Sequence, residues 1–157
     1  MSARDEQVVA SNRKARHDYE IIETIECGIA LQGSEVKSLR AAKMQLKDSY
    51  AYIRNGEVWL HGAHIAPYTF SHGIDGHDPE RERKLLLHRG EIEDLRQQVE
   101  REQLTLVPLS VYFKGSRAKV ELALARGRKR HDKRHALAER DANREIARAM
   151  ADDRRGR

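Results

Sequence analysis

SYAYIRNGEVWLHGAHI, residues 49–65, is the stretch of this 157-residue chain that decides the fold. Two runs rich in aromatic and aliphatic residues flank Asn55-Gly56, a pair that accepts the positive φ angles of a type I′ turn. The stretch therefore predicts a β-hairpin, with strands over residues 49–54 and 57–65.

Further strands are predicted on both sides of this hairpin. Residues 19–25 form a run of β-branched side chains broken by acids, and residues 29–31 continue the extended pattern. Residues 104–113 alternate loosely and residues 118–124 alternate strictly, so together they predict a second hairpin. Pro108 has no N–H to donate to a ladder, and we expect it at an edge or a bulge.

Three helices are predicted around these strands. A short helix covers residues 12–17 behind a Ser11 cap, and a second begins after Gly33. A third covers residues 91–99, where apolar residues recur at intervals of three and four. Residues 67–83 are polar, lack periodicity and predict an exposed loop.

The number and order of these elements predict the fold class. Five or six short strands with meander connections and about three helices indicate a mainly β fold with flanking α-helices. A parallel sheet would need a helical crossover for each strand pair, so we expect a small closed antiparallel β-barrel. The predicted organisation is a flexible N-terminus at residues 1–10, a barrel domain at residues 11–125 and a basic tail at residues 126–157.

The tail carries all of the net positive charge. Residues 126–157 contain 12 Lys and Arg against 6 Asp and Glu, whereas residues 1–125 contain 18 against 19. Its first residues, 126–134, carry mutually repelling cations and almost no apolar side chain that could be buried. We therefore expect the tail to be disordered in the free protein. Further on, alanines and the larger Ile146 and Met150 recur at helical spacing and predict a helix that forms on a partner. RNA is the leading candidate, while charge alone leaves an anionic membrane surface or an acidic protein open.

Several other classes are disfavoured by the sequence. No apolar run approaches the ~18 residues of a membrane span and no signal peptide is evident, so we expect a cytoplasmic protein. Cys27 is the single cysteine and is interpreted as a buried hydrophobe. No nucleotide-binding loop or nucleophile motif is present, so we expect neither an enzyme nor a cofactor.

The eight histidines are the main argument for a metal site. His61 and His64 lie three apart in a predicted strand and would point to opposite faces, so we predict no metal. A loop chelate remains the alternative and would use His72, Asp75, His77 and Asp78.

Eight short motifs follow one another over roughly residues 10–150. They are NRKARH at 12–17, GSEVKSLR at 33–40, DSY at 48–50, NGE at 55–57, DP at 78–79, RKLLL at 83–87, RAKV at 117–120 and HDKR at 131–134. In this order they resemble the SmpB family, the SsrA-binding proteins of bacterial trans-translation.

The resemblance implies an oligonucleotide-binding-fold barrel and an adaptor function. Such proteins bind the tRNA-like domain of transfer-messenger RNA (tmRNA) and accompany its alanylated form to a stalled ribosome. Elongation factor Tu is an indirect partner, through the alanylated tmRNA. The tail then enters the decoding centre and the empty mRNA channel, which allows peptide tagging and ribosome rescue. The implied protein is a bacterial cytoplasmic monomer with no membrane partner.

The same resemblance implies two sets of site residues. The tmRNA-binding set is Asn12, Arg13, His17, Glu26, Lys37, Arg40, Leu86 and Lys119. The ribosome-binding set in the tail is Gly127, Arg128, Lys129, His131, Asp132, Lys133, Arg134, Ile146 and Met150. A general RNA chaperone of the small-barrel type, whose tail adds unspecific charge, is the alternative.

Overall fold

The computed structural model describes residues 6–68 and 77–127, which contain three helices and nine strands. The helices are α1 (Arg13–Asp18), α2 (Gly33–Arg40) and α3 (Arg89–Glu102). The strands are β1 (Glu6–Ser11), β2 (Tyr19–Ile29), β3 (Met44–Gln45), β4 (Tyr50–Arg54), β5 (Glu57–His61), β6 (His64–Ile65), β7 (Arg83–Leu86), β8 (Thr105–Lys114) and β9 (Arg117–Gly127).

Six of the strands form a ring of antiparallel pairs. The order is β8-β4-β5-β7-β2-β9, and β9 pairs again with β8. β1 adds to β8 outside the ring, and β3 with β6 forms a separate two-stranded sheet. The joint between β4 and β8 is a single residue pair, Ala51 with Leu106. The predicted mainly β, antiparallel fold with flanking helices is confirmed, and its sheet closes on itself through β8.

The two predicted hairpins are present. Asn55 and Gly56 have φ angles of 54° and 75°, which is the sign pattern of the type I′ turn between β4 and β5. Gly115 has a φ of 64° in the turn between β8 and β9. The register of that second pair shifts between Pro108 and Ser110, so Pro108 lies at a bulge as expected.

The buried apolar residues form two clusters: the larger lies inside the ring, and the smaller, which includes Val107 and Leu109, packs against Ala15 of α1. In β2 the side chains of Cys27 and Ile29 are buried while Glu26 is exposed, which is the period-two pattern of a strand with one face inward. Leu39 of α2 and Leu95 of α3 belong to the same core. The largest apolar side chains that are fully buried are Leu39, Leu46, Val58, Leu60, Ile65, Leu85, Val107, Leu109, Val111 and Leu122.

The N-terminal boundary differs from the prediction. Residues 6–10 were expected to belong to a flexible N-terminus, but they lie in β1, which pairs with β8 from Glu6 opposite Lys114 to Ser11 opposite Ser110. Val9 and Ala10 are buried against the core. The strand is too short and irregular to show alternation, and its partner lies about one hundred residues further along the chain.

The C-terminal boundary also shifts. The tail was expected to begin at residue 126, but β9 continues to Gly127, which lies opposite Tyr19. Arg126 lies opposite Glu20 and forms ion pairs with Glu20 at 3.1 Å and with Glu102 at 3.7 Å. The first cation of the basic run is therefore compensated by acids of the barrel. Residues 128–157 lie outside the described residues.

The predicted exposed loop at residues 67–83 is wrong at its C-terminal end. Residues 69–76 lie outside the described part of the chain, but His77 and Arg83 are buried and Arg83 begins β7. Arg83 is buried because it binds the buried carboxylate of Glu35, which no local sequence pattern reveals, and His77 contacts the Ser34 hydroxyl and the Ile65 carbonyl.

The Glu35 carboxylate accepts hydrogen bonds from three residues, two of them arginines at the start of β7 or just before it. Its Oε1 accepts from Arg81 Nη2 at 2.6 Å and from the Gln32 backbone N–H at 2.7 Å, while Oε2 accepts from Arg83 Nε at 2.7 Å. Arg83 Nη1 also donates to the Ala63 carbonyl at 2.8 Å. Glu35 and Arg83 are both fully buried, so the Arg83 charge depends on Glu35 for compensation, while Glu35 is compensated by both Arg81 and Arg83.

Replacing Glu35 by glutamine should destabilise the protein strongly. The Glu35→Gln variant leaves the buried Arg83 guanidinium without its counter-ion, and breaking such a pair costs about 3–5 kcal/mol of unfolding free energy. Urea denaturation of the full chain measures this loss. Glu93→Gln, which breaks an exposed pair with Arg96 in α3, is the matched control and should change stability little. Equal effects of the two substitutions would contradict the assignment.

The stability contributed by Glu35 should be lost in acid. Burial raises the pKa of this carboxyl, but hydrogen bonds from Arg81, the Gln32 N–H and Arg83 outweigh burial and lower the pKa below its usual value of 4.5. A carboxyl whose pKa is lower in the folded state stabilises the fold above its unfolded pKa and loses that contribution as the pH falls through the folded pKa. Urea denaturation between neutral and acid pH should therefore show the parent converging on Glu35→Gln. A difference between them that stays constant with pH would contradict this prediction.

Candidate nucleic-acid interface

Asn12 begins α1 and ties it to the barrel. Its Oδ1 accepts from the Ala15 N–H at 3.1 Å, and its Nδ2 donates to the carbonyls of Pro108 at 2.9 Å and Leu46 at 3.3 Å. Asn12, not the predicted Ser11, is therefore the N-cap. Only 4% of Asn12 is exposed, so the direct RNA contact expected of it does not fit the structure. Its amide positions α1 instead.

The exposed side of α1 is basic. Lys14 and Arg16 bind acids of the barrel, Asp48 at 2.5 Å and Glu121 at 3.4 Å respectively. Arg13 is exposed, and no ion pair joins it to any residue that the structure describes. His17 is half-exposed beside Asp18, with its Nδ1 3.1 Å from Asp18 Oδ1. Arg13 and His17 therefore both lie on the exposed side of α1.

Glu26, Leu86 and Lys119 lie together on the outer face of the barrel. Gly28 in β2 is directly opposite Leu86 of β7 on one side and Lys119 of β9 on the other. A Cβ added to Gly28 would lie 3.3 Å from the Leu86 Cβ, so the Leu86 side chain leans over the glycine. Leu86 is 49% exposed. Glu26 precedes Gly28 by two residues and shares its face.

The Glu26 carboxylate is held by two donors from β8. Tyr112 donates its hydroxyl to Glu26 Oε2, and Lys114 Nζ lies 3.4 Å from the same oxygen. The Tyr112 hydrogen bond, opposed by some burial and helped by Lys114 and Lys119, lowers the pKa of Glu26. Glu26 therefore stays an acceptor near neutral pH. The alternation of β8, in which Val111 and Phe113 point inward, could have identified Tyr112 from sequence.

Lys37 and Arg40 form a third group on α2. Both are exposed, and both rest against aromatic rings: Lys37 Nζ lies 5.5 Å from the Tyr68 ring centroid, and Arg40 Cζ lies 4.5 Å from that of Phe113. No hydrogen bond or ion pair in residues 6–68 and 77–127 links this group to Glu26 or to α1. The structure thus presents three basic or mixed surfaces on one scaffold.

The histidines of the barrel bind carboxylates or the backbone. His61 and His64 contact Glu82 at 2.8 Å and Glu80 at 2.6 Å, in separate pairs. His77 is buried, with its Nε2 2.9 Å from the Ile65 carbonyl. Among the described residues no group of three or more His, Cys, Asp or Glu could hold a metal ion. His72 and Asp75 of the loop alternative lie outside those residues.

Cys27 is a core residue. It is buried between the strands, and its Sγ lies 3.5 Å from the Val120 carbonyl. Burial raises the pKa of the thiol to about 12, because a thiolate would be poorly solvated there. The interpretation of Cys27 as a buried hydrophobe is confirmed. Separately, the helices described by the structure are too short or too polar to cross a bilayer.

The ribosome-binding set can be located only at its first member. Gly127 ends β9, and the other tail residues, Arg128, Lys129, His131, Asp132, Lys133, Arg134, Ile146 and Met150, lie beyond the described residues.

Comparison with known proteins gives consistent matches along the chain. The family model for SmpB protein matches residues 9–152. An SsrA-binding protein from Frankia casuarinae is 55% identical over 151 residues, covering 96% of this chain and 94% of the relative. Those of Acetivibrio thermocellus and Chloroflexus aurantiacus are 54% and 59% identical, covering 98% and 91% of this chain and 99% and 89% of the relatives.

A solved structure agrees with these matches. It is described by the words "tmRNA-SmpB: a journey to the center of the bacterial ribosome" and aligns with a TM-score of 0.65 at 50% identity. The alignment covers 81% of this chain and 92% of the solved chain. With the family model matched over most of its length, the chain belongs to the SmpB family.

Proposed function

We propose that this protein is an RNA-binding adaptor of trans-translation. It binds the tRNA-like domain of tmRNA, delivers this RNA to stalled ribosomes and allows the unfinished peptide to be tagged. The observation that carries the proposal is identity of 54–59% to SsrA-binding proteins over nearly the whole chain. The protein acts by binding alone, as a cytoplasmic monomer, without metal or cofactor and without catalysis.

The barrel binds tmRNA through the three surfaces described above. Arg13 and His17 on α1, and Lys37 and Arg40 on α2, neutralise phosphates and so position the RNA. Glu26 accepts hydrogen bonds from ribose hydroxyls or base edges, Lys119 adds a charge and Leu86 gives an apolar contact to an unstacked base. Asn12 contributes by fixing α1.

The tail binds a second RNA, that of the small ribosomal subunit. Beyond Gly127, the segment ending at Arg134 enters the decoding centre, where its cations pair phosphates and His131 stacks on a base. The following residues, including Ile146 and Met150, occupy the empty mRNA channel as a helix that forms on binding. A message in the channel excludes them, which makes the tail a sensor for missing message. Elongation factor Tu takes part only through alanylated tmRNA.

The barrel alone should discriminate between RNAs. A protein ending at Gly127 retains every described strand and all eight residues of the tmRNA-binding set, so it should still prefer the tRNA-like domain over bulk tRNA. Competition gel-shift at fixed salt measures this preference, with thermal unfolding to verify the fold. Loss of the preference in a folded barrel would favour the general RNA chaperone instead.

Tail function should depend on position rather than on total charge. In the full chain, Lys133→Gln combined with Arg134→Gln should abolish peptide tagging in a reconstituted stalled-ribosome reaction while sparing tmRNA binding, because these cations replace contacts normally made by a codon. Arg154→Gln combined with Arg155→Gln removes the same charge near the chain end and should tag normally. Equal tagging by the two variants would refute the proposed decoding-centre role.

A further inference from the structure

Directly paired residues form a row across five strands of the outer barrel face. The pairs are Val8 with Tyr112, Tyr112 with Lys119, Lys119 with Gly28, and Gly28 with Leu86. We call these five residues the outer row. At about 4.8 Å between neighbouring strands, the outer row is about 19 Å long.

The side chains of the outer row point away from the core. Tyr112 lies between the buried Val111 and Phe113, and Lys119 precedes the buried Val120, so both point outward. Residues directly opposite each other in an antiparallel pair share a face, and Val8 therefore stands beside Tyr112. The outer row thus forms one continuous surface from β1 to β7.

Both ends of the outer row are exposed and apolar. Val8 is 62% exposed at one end and Leu86 is 49% exposed at the other. Between them lie an aromatic ring, a cation and a glycine. Apolar and aromatic groups that alternate with a cation suit an RNA whose bases and sugars, as well as phosphates, reach the protein.

Tyr112 joins the outer row to Glu26. The groups around the Glu26 carboxylate are the Tyr112 hydroxyl, Lys114 and Lys119, with Glu121 directly opposite on β9. An unrestrained carboxylate among these groups would have several orientations, and only some of them would present an oxygen to a donor on the RNA. The Tyr112 hydrogen bond selects one orientation and leaves other lone pairs free to accept from a ribose hydroxyl or a base amino group.

We propose that the RNA-contact face of the barrel is the whole outer row, with Val8 as a contact residue and Tyr112 as a positioning residue for the Glu26 carboxylate. This inference rests on the proposed function and extends its tmRNA-binding set onto β8 and β1. Tyr112 itself makes a ring contact to the RNA, and its hydroxyl orients the acceptor.

Tyr112→Phe in the full chain removes the hydroxyl and keeps the ring. Affinity for the tRNA-like domain of tmRNA should fall about fivefold to tenfold, because the Glu26 carboxylate loses the donor that holds it in its binding orientation and a typical net hydrogen-bond contribution is about 1 kcal/mol. Tyr50→Phe is the matched control, because Tyr50 is 41% exposed on β4 outside the outer row and its hydroxyl has no hydrogen bond within the described residues. The control should bind like the parent.

A second readout separates positioning from a general loss of structure. NMR titration of the Glu26 side-chain carboxyl should give a pKa below the ordinary range in the parent and a value closer to that range in Tyr112→Phe. A hydroxyl that served only the stability of the fold would lower the melting temperature on removal and leave the RNA affinity unchanged. An unchanged Glu26 pKa in folded Tyr112→Phe overturns the positioning role.

Val8→Ser tests the far end of the outer row without touching the core. Its affinity for the same RNA should fall about threefold to fivefold, in line with the loss of one apolar contact of about 0.8 kcal/mol per CH₂. Ile22→Ser is the matched control, since Ile22 is 43% exposed on β2 and lies six residues from Gly28, away from the row. Equal affinities of Val8→Ser and Ile22→Ser overturn the extension onto β1.

The parent protein distinguishes failure of this inference from failure of the proposed function. If the parent binds the tRNA-like domain while Tyr112→Phe and Val8→Ser both bind equally well, the outer row is wrong and the function stands. If the parent shows no preference for this RNA, the proposed function fails, and the outer row fails with it as an RNA-contact face.

Discussion

The buried contact between Glu35 and Arg83 connects the parts of the protein on which RNA binding is proposed to depend. Glu35 lies on α2, two residues before Lys37 and five before Arg40, so the carboxylate fixes the helix that presents both cations. Arg83 begins β7, and Leu86 follows three residues later on the same strand. One ion pair thus sets the position of an α2 surface and of one end of the outer row. A hydrophobic pair of equal volume could give equal stability but would not require one arrangement of α2 against β7.

The local parts of the fold could be predicted from the sequence, and the non-local parts could not. The pair Asn55-Gly56 is enough to predict the turn between its two strands. The alternation of residues 118–124 is enough to predict a strand with one buried face. By contrast, β1 acquires its structure from β8, and Arg83 is buried only because Glu35 approaches from α2. Neither partner lies within the window over which a periodicity or a turn motif can be recognised.

The same division applies to the candidate site. Charge and family motifs identified Arg13 and Lys37, which are exposed, and Lys119, which is partly buried on the outer face. They also included Asn12, which is buried and serves as the N-cap of α1. Tyr112 was not identified: the alternation of β8 could have shown that it points outward, but only the register of β8, β9 and β2 brings its hydroxyl to Glu26. Residue type suggests which chemistry is possible, whereas strand pairing decides which groups meet.

The pairing order of the ring has a consequence for how the protein is made. β1 and β4 both need β8, and β2 needs β9 along most of its length, yet β8 and β9 are the last described strands of the chain. During synthesis the first hundred residues therefore lack the partners that close the barrel, although the β4–β5, β5–β7 and β2–β7 pairs lie within them. α1 also waits for β8, because its N-cap Asn12 binds the Pro108 carbonyl. A barrel with such long-range pairings folds slowly for its size and completes itself only after residue 127 has left the exit tunnel. A protein proposed to serve stalled ribosomes would thus itself be particularly sensitive to translation that stops short of its end.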